Sequence, residues 1–326
     1  MPHTFLIVGP TAAGKSEIAA DVAHHIGAEI VNADAFQIYR GLDLLSAKPD
    51  RTTRSMAPHH LIGVVPLSTE MSAETFHRLA QQAIGRIHAR NKHAIVVGGS
   101  GLYIKALTHG LAPLPSSDPK LRARLNALSM EELFAQLVHL DPEMERTIDV
   151  NNRRRLVRAL EISLLTGKPA SAQRKEWKAV EADALSGMAE RLRRATSPGA
   201  ETAATTGVFV FRDREELYER INRRVERMFE KGVIENVRAA GATSATASQM
   251  IGLREIHQLL EGRMSLLQCI AEIQQATRRY AKRQLTWFRG QSTFELLNLS
   301  LFSHNEAVEW ISLRAQPRTL SGHGDD

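Results

Sequence analysis

Eight consecutive residues constrain the fold more than any other part of the chain. Gly9-Pro10-Thr11-Ala12-Ala13-Gly14-Lys15-Ser16 fits the pattern G-x-x-x-x-G-K-[ST]. A β-prone run, Thr4 to Val8, precedes it, and a helix is expected from Lys15 to about Ile26. A strand, a glycine-bearing turn and a helix in that order let successive backbone N–H groups point inward. These donors and the helix N-terminus then hold phosphate oxygens. In such a loop Gly9, Pro10, Thr11, Ala12, Ala13 and Gly14 form the cradle. Lys15 neutralises the terminal phosphates, and the Ser16 hydroxyl helps hold Mg²⁺. The motif points to a diphosphate or triphosphate without saying what carries it.

The pattern beyond this loop continues to alternate. Ala28 to Val31, Leu61 to Val65 and Ala94 to Val97 read as strands, and Ser72 to about Arg90 as an amphipathic helix. Val208 to Phe211 reads as a fifth strand, followed by helices over Glu215 to Lys231, Ser248 to Glu261 and Ser265 to Gly290. The fold class expected is α/β: a P-loop NTPase-like parallel sheet flanked by helices. Residues 116–178 lack strand signals and read as a helical insertion. The catalytic core is then 1–115 plus 207–302, with a linker at 179–206 and a loosely held tail from 303 to 326.

Composition removes several classes. At 326 residues and 43% hydrophobic, the chain buries a core without a disulfide or metal staple. Its lone Cys269 permits neither a disulfide framework nor a Cys-rich zinc site, and fits a reducing compartment. No secretory signal is expected, because the glycine turn follows Phe5–Val8 at once. No apolar run approaches the roughly 18 residues of a membrane span. Forty-two basic against 36 acidic residues give +6, which permits a polyanionic partner without demanding one. The adjacent pairs His24-His25 and His59-His60 are not spaced to converge on one metal.

Two further segments fall where ligands of open α/β sheets bind, at the carboxyl ends of strands. Asp34 follows the second strand. It reads as a general base, as a Mg²⁺ ligand, or as a turn aspartate. Gly98-Gly99-Ser100-Gly101 follows the fourth and can bring a hydroxyl near a ligand. Two stretches are strongly basic. Arg153, Arg154, Arg155 and Arg158 form one; Arg278, Arg279, Lys282, Arg283 and Arg289 form the other, with Tyr280, Trp287 and Phe288 interleaved. Both suit RNA phosphates, and both also suit a solvated helix face. Arg220, Arg223, Arg224 and Arg227 lie among glutamates, so an intrahelical ion-pair lattice is expected there.

Taken in order, these segments resemble the tRNA dimethylallyltransferase (tRNA isopentenyltransferase) family. The resemblance is carried by residues 9–16 and by Asp-Ala-Phe-Gln-Ile-Tyr-Arg-Gly (34–41), Ala-Lys-Pro (47–49) and Pro-His-His-Leu (58–61). It continues through Gly-Gly-Ser-Gly-Leu-Tyr (98–103), Arg-Ala-Leu-Glu (158–161) and Thr-Gly-Lys-Pro (166–169). Ala-Lys-Arg-Gln-Leu-Thr-Trp-Phe-Arg (281–289) closes it. The resemblance implies transfer of a dimethylallyl group from dimethylallyl diphosphate to N6 of the adenosine 3′ of the anticodon, in tRNAs reading codons that start with U. It implies Asp34 as base, with Ser100 near the reacting centre and Lys15 and Arg224 at the diphosphate. It also places Asp34, Ala35, Phe36, Gln37, Ser100, Arg122, Arg154, Arg155, Arg158, Arg279 and Arg283 along the tRNA. Mg²⁺ at Ser16 is the implied cofactor, and a cytoplasmic monomer without membrane contact the implied setting.

The chain departs from the family pattern at Ala35, where Ser is usual, and at Ser100, where Thr is usual. It also departs at Gly63, Asn152 and Leu253. Three other readings remain open: a P-loop small-molecule kinase, an adenine-nucleotide prenyltransferase, and a non-catalytic tRNA-binding protein.

Overall fold

The computed structural model describes residues 3–111, 114–173, 207–290 and 294–316. The chain divides into two compact units, one of residues 1–108 with 204–326 and one of residues 109–203.

The first unit is built on a six-stranded sheet: β1 (Thr4–Val8), β2 (Glu29–Asn32), β3 (His59–His60), β4 (Ala94–Gly98), β5 (Gly207–Phe211) and β6 (Glu295–Asn298). All pairings are parallel, in the order β3-β2-β4-β1-β5-β6. The central strands are buried on both faces, which is why they read as unbroken apolar runs. Alternate side chains serve the two faces. Leu6, Val8, Val31, Val96 and Phe209 pack with Phe76, Ala80 and Ile84 of helix α3 (Ala73–His88), Tyr103 and Ile104 of α4 (Gly101–His109), and Phe288. Phe5, Ile7, Ile30, Ile95, Val208 and Val210 pack instead against α1 (Lys15–Ile26). A short helix, α2 (Arg51–Ser55), precedes β3.

The expected strand over Leu61–Val65 is not formed. The parallel pairing is made two residues earlier, with Ile30 opposite His59 and Val31 opposite His60. Leu61 (φ 62°) and Gly63 (φ 64°) then turn the chain out of the extended region, and only Val65 makes an isolated bridge, to Tyr39.

The expected loose tail is also corrected over 303–316. Ser303 caps helix α12 (His304–Ala315) in a reciprocal capping box with Glu306. Ala307, Ile311 and Ala315, four residues apart, are buried in the cluster formed with α1. Residues 317–326 and the expected linker 179–206 lie outside the described residues.

The second unit contains α5 (Pro119–Ala127), α6 (Met130–Leu140) and α7 (Arg153–Thr166). Leu125, Leu133, Leu137, Met144, Leu156, Val157 and Leu160 form its core. Back in the first unit, α8 (Arg214–Glu230), α9 (Val233–Arg238), α10 (Leu253–Leu260) and α11 (Leu266–Arg289) make a helical side layer. The continuous helix expected over Ser248–Glu261 is split: a 3₁₀ turn at Ala247–Gln249 precedes Gly252, whose φ of 96° restarts the helix. This layer packs Val225, Met228, Met250, Ile256 and Ile273 against Leu42 and Leu45 of the loop that follows β2.

Candidate active site

The β1–α1 loop curls as its sequence requires. Gly14 enters α1 with φ 97°, and Ala12 sits at φ 64°. That conformation strains a residue with a Cβ, and such strain persists only where surroundings hold it. Here two arginines hold the loop from outside. Arg220 Nε donates to the Ala12 carbonyl at 2.9 Å, and Arg212 Nε donates to the Ala13 carbonyl at 3.0 Å. The expected ion-pair lattice on α8 is therefore reduced to Arg223 with Glu219. Arg220 and Arg224 turn instead toward the phosphate loop.

Lys15 folds back, its Nζ donating to the Pro10 carbonyl at 2.6 Å. Burial lowers its pKa to about 8; Asp34 opposes that shift and Arg224 adds to it. Arg224 is itself lowered by burial and supported by Asp34, and its Nη1 donates to Thr11 Oγ1 at 2.9 Å. Three charged groups from three parts of the sequence thus act on one another around the loop.

Asp34 follows β2. Its Oδ1 accepts from the N–H of Phe36 (2.8 Å) and of Gln37 (3.2 Å). This is the turn geometry of an aspartate that orders its own loop, and it fixes the carboxylate at the rim of a cavity. Ser100, nearly buried, accepts the Ala35 N–H at 3.0 Å. It also shares a side-chain hydrogen bond with Tyr280, whose pKa is raised by burial and then by Asp34. The phenol is therefore neutral at ordinary pH. Gln37 donates Nε2 to the carbonyls of Ser46 (3.4 Å) and Ala47 (3.0 Å), which orients its amide.

The cavity measures about 560 Å³ with its open mouth. Thr11, Asp34 and Arg224 supply its polar wall, Phe36 and Tyr280 its aromatic one, and Leu45, Val225, Met228, Met250, Ile251 and Ile273 an apolar one. Anion-binding groups beside an apolar wall suit a ligand with a charged head and a hydrocarbon body.

Sequence reasoning missed three groups here. Tyr280 was seen as one aromatic in a basic helix and Arg220 as a member of a lattice. Gln284 of α11 stood inside the 281–289 block with no role assigned to it: its Oε1 accepts the Thr11 N–H (2.8 Å) and its Nε2 donates to the Gly99 carbonyl (2.8 Å). On the same helix Arg279, Lys282 and Arg283 are exposed, and Arg283 also lies over the Tyr280 ring at 5.7 Å. Arg278 is engaged by Asn222 Oδ1 at 2.6 Å.

In the second unit the basic stretch divides. Arg122 and Arg158 both bind Glu161, at 2.7 Å each, and Glu161 is fully buried. Arg153 donates to the carbonyls of Asn126 and Leu128. Arg154 and Arg155 are exposed.

The comparisons with known proteins agree with one another. The family model described as IPP transferase matches residues 37–291. The tRNA dimethylallyltransferase 1 of Citrifermentans bemidjiense is 43% identical over 286 residues, covering 86% of this chain and 87% of that protein. Among solved structures, the full-length tRNA isopentenylpyrophosphate transferase of Bacillus halodurans superposes with a TM-score of 0.65. It is 30% identical and covers 96% of this chain and 95% of that one. A eukaryotic dimethylallyltransferase described as acting on tRNA gives a TM-score of 0.69 at 25% identity, covering 91% of this chain and 74% of that one. The family model spans most of the chain and the relatives nearly all of it, so the protein belongs to the IPP transferase family, the tRNA dimethylallyltransferases.

Proposed function

We propose that this protein is a prenyltransferase that moves a dimethylallyl group from dimethylallyl diphosphate to N6 of the adenosine 3′ of the anticodon. The acceptors are tRNAs that read codons starting with U. The observation that carries the reading is Arg224 and Asp34 on the wall of one cavity with an apolar side, with the buried Lys15 ammonium acting electrostatically on both.

The chemistry needs those groups. The N6 lone pair is delocalised into the adenine ring and is a weak nucleophile. As it bonds to C1 of the allyl group, Asp34 takes the N6 proton. The C1–O bond breaks with its electron pair going to the diphosphate. Lys15, the loop amides and Arg224 stabilise that growing negative charge. The hydrocarbon lies against the apolar wall, and Phe36 and Tyr280 offer ring faces to an allyl group that becomes cation-like. The base must leave the anticodon stack to reach Asp34. Exposed arginines such as Arg154, Arg155, Arg279 and Arg283 hold the RNA through its phosphates.

Mg²⁺ fits this site only in company with the diphosphate. No cluster of three or more His, Cys, Asp or Glu among the described residues could cage a metal. The Ser16 hydroxyl at the start of α1 is a donor suited to an ion that is mostly held by phosphate oxygens and water. Bound there, Mg²⁺ would neutralise charge on the leaving group. The proposal takes the protein to act on cytoplasmic tRNA as a monomer; among the described residues no helix is long and apolar enough to cross a membrane.

Mass spectrometry tests the proposal. The protein is incubated with unmodified tRNA, dimethylallyl diphosphate and Mg²⁺, without ATP, and the tRNA is digested to nucleosides. An adenosine carrying one dimethylallyl group is expected. In a parallel incubation with ATP, ADP formation and no such nucleoside would favour a kinase. Bound tRNA with neither product would favour a binding protein.

A further inference from the structure

The two loops that bring the reactants together end neighbouring strands. β1 leads to the phosphate cradle and β4 to the Ser100 turn. One backbone bond ties them at their roots, from Gly9 N–H to the Gly98 carbonyl at 3.3 Å. Beyond it, one side chain spans both loops. The buried amide of Gln284 accepts the Thr11 N–H with Oε1 and donates to the Gly99 carbonyl with Nε2, both at 2.8 Å. The seat is cut for this amide. A Cβ at residue 99 would meet Gln284 Nε2 at 2.3 Å and the Gly9 carbonyl at 2.7 Å, so only glycine admits it.

We infer that Gln284 is a positioning residue that fixes the diphosphate cradle against the Ser100 turn. It touches neither reactant. On one side it holds Thr11, the residue whose hydroxyl binds Arg224. On the other it holds Gly99, next to the Ser100 hydroxyl that orders the Asp34 loop through Ala35 N–H. Leaving group and base are thereby set at one distance. A bond-forming step depends steeply on that distance, and a misplacement of about 1 Å costs on the order of 10²-fold in rate. The cradle amides and Lys15 are not removed by changing Gln284, so diphosphate binding should survive. The inference rests on the proposed transfer reaction.

The test uses the full chain in the tRNA prenylation assay, with dimethylallyl diphosphate affinity measured separately by titration. Gln284→Met keeps the length and loses both bonds. It should lower kcat on the order of 10²-fold, with diphosphate affinity within about threefold of wild type. Gln284→Glu keeps the acceptor for Thr11 and loses the donor to Gly99. It should lie between the two, and its effect should shrink in a Ser100→Ala background, where the turn already fails to order Ala35. If Gln284→Met does not fold, Gln284→Glu alone decides. Turnover within about threefold of wild type for the folded variants overturns the inference. So does a loss confined to diphosphate affinity, or an undiminished loss in the Ser100→Ala background. An inactive wild type overturns the transferase reading and this inference together.

Discussion

Lys15 carries a cost in the ligand-free protein that its removal should reveal. Burial lowers its pKa from 10.5 to about 8. At about 1.4 kcal/mol per pH unit, the shift from 10.5 to about 8 is on the order of 3 kcal/mol against the protonated native form. Lys15→Met keeps most of the side-chain length and discards the charge. It also discards the bond to the Pro10 carbonyl, a net loss of about 1 kcal/mol. The variant should therefore be more stable than wild type by about 2 kcal/mol near pH 7, a rise in melting midpoint of roughly 4–8 °C. The pH dependence has a definite sign. Below pH 8 the native and unfolded states both hold the proton and the cost is complete. Between pH 8 and 10.5 the native state releases it first, so wild-type stability rises relative to the variant and the gap closes. Paired thermal melts at pH 7 and pH 10 without phosphate ligands measure this, while titration should show diphosphate binding strongly weakened in the variant. A variant that melts at or below wild type at pH 7 would refute the reasoning, as would a gap unchanged at pH 10.

Three other outcomes follow from the structure. Glu161 accepts the Asp118 N–H and two guanidiniums while fully buried. Glu161→Ala should thus destabilise the helical unit by about 3 kcal/mol, read as increased proteolysis within 109–203; an unchanged cleavage rate would show the pairs to be worth little. Arg154→Ala combined with Arg155→Ala should reduce the slope of log affinity for tRNA against log salt by about two, and an identical slope would place both residues off the RNA. Burial, and then neighbouring His93, lowers the pKa of His3; burial foremost lowers that of His93 as well. Their depressed values mean that stability is lost as pH falls below 6.5, where the unfolded chain takes up protons first. Acid melts of a His3→Asn, His93→Asn double variant should show a flatter decline than wild type, and parallel curves would contradict this.

The parts of this molecule legible in its sequence are those whose chemistry is local. The apolar run of β1, the glycines of the phosphate loop and the amphipathic face of α3 each record their own conformation. The strand at β3 was displaced because a left-handed Leu61 has no sequence mark, and its neighbour Gly63 was read only as a departure from a pattern. Strand β6 is four residues long, too short for a periodic signal. Helix α12 did carry one, in the capping pair Ser303 and Glu306, which was passed over beside Pro317 and the later glycines. At the site, Asp34, Ser100 and Lys15 were visible because each follows a strand or sits in a motif. The role of Gln284 was not, although the residue stands in the 281–289 block, since it reaches Thr11 across 273 positions and only packing brings it there. The arginines of α8 show the same limit. Glutamates at helical spacing made a lattice plausible, and the direction of the helix face sent Arg220 to the loop instead; for Arg224 the family resemblance had already implied a place at the diphosphate. Arg158 and Glu161, three apart, did hold in their spacing the ion pair that binds that arginine to the protein's own interior.

The most direct test of the account is the single-turnover rate of Asp34→Asn with tRNA and dimethylallyl diphosphate saturating. Asparagine retains an Oδ1 acceptor for the Phe36 and Gln37 N–H groups, so the turn should keep its shape. It cannot take the N6 proton. The account predicts a rate lowered by about 10²- to 10⁴-fold, with tRNA affinity within about twofold of wild type. A rate within about threefold of wild type would contradict the assignment of Asp34 as the base.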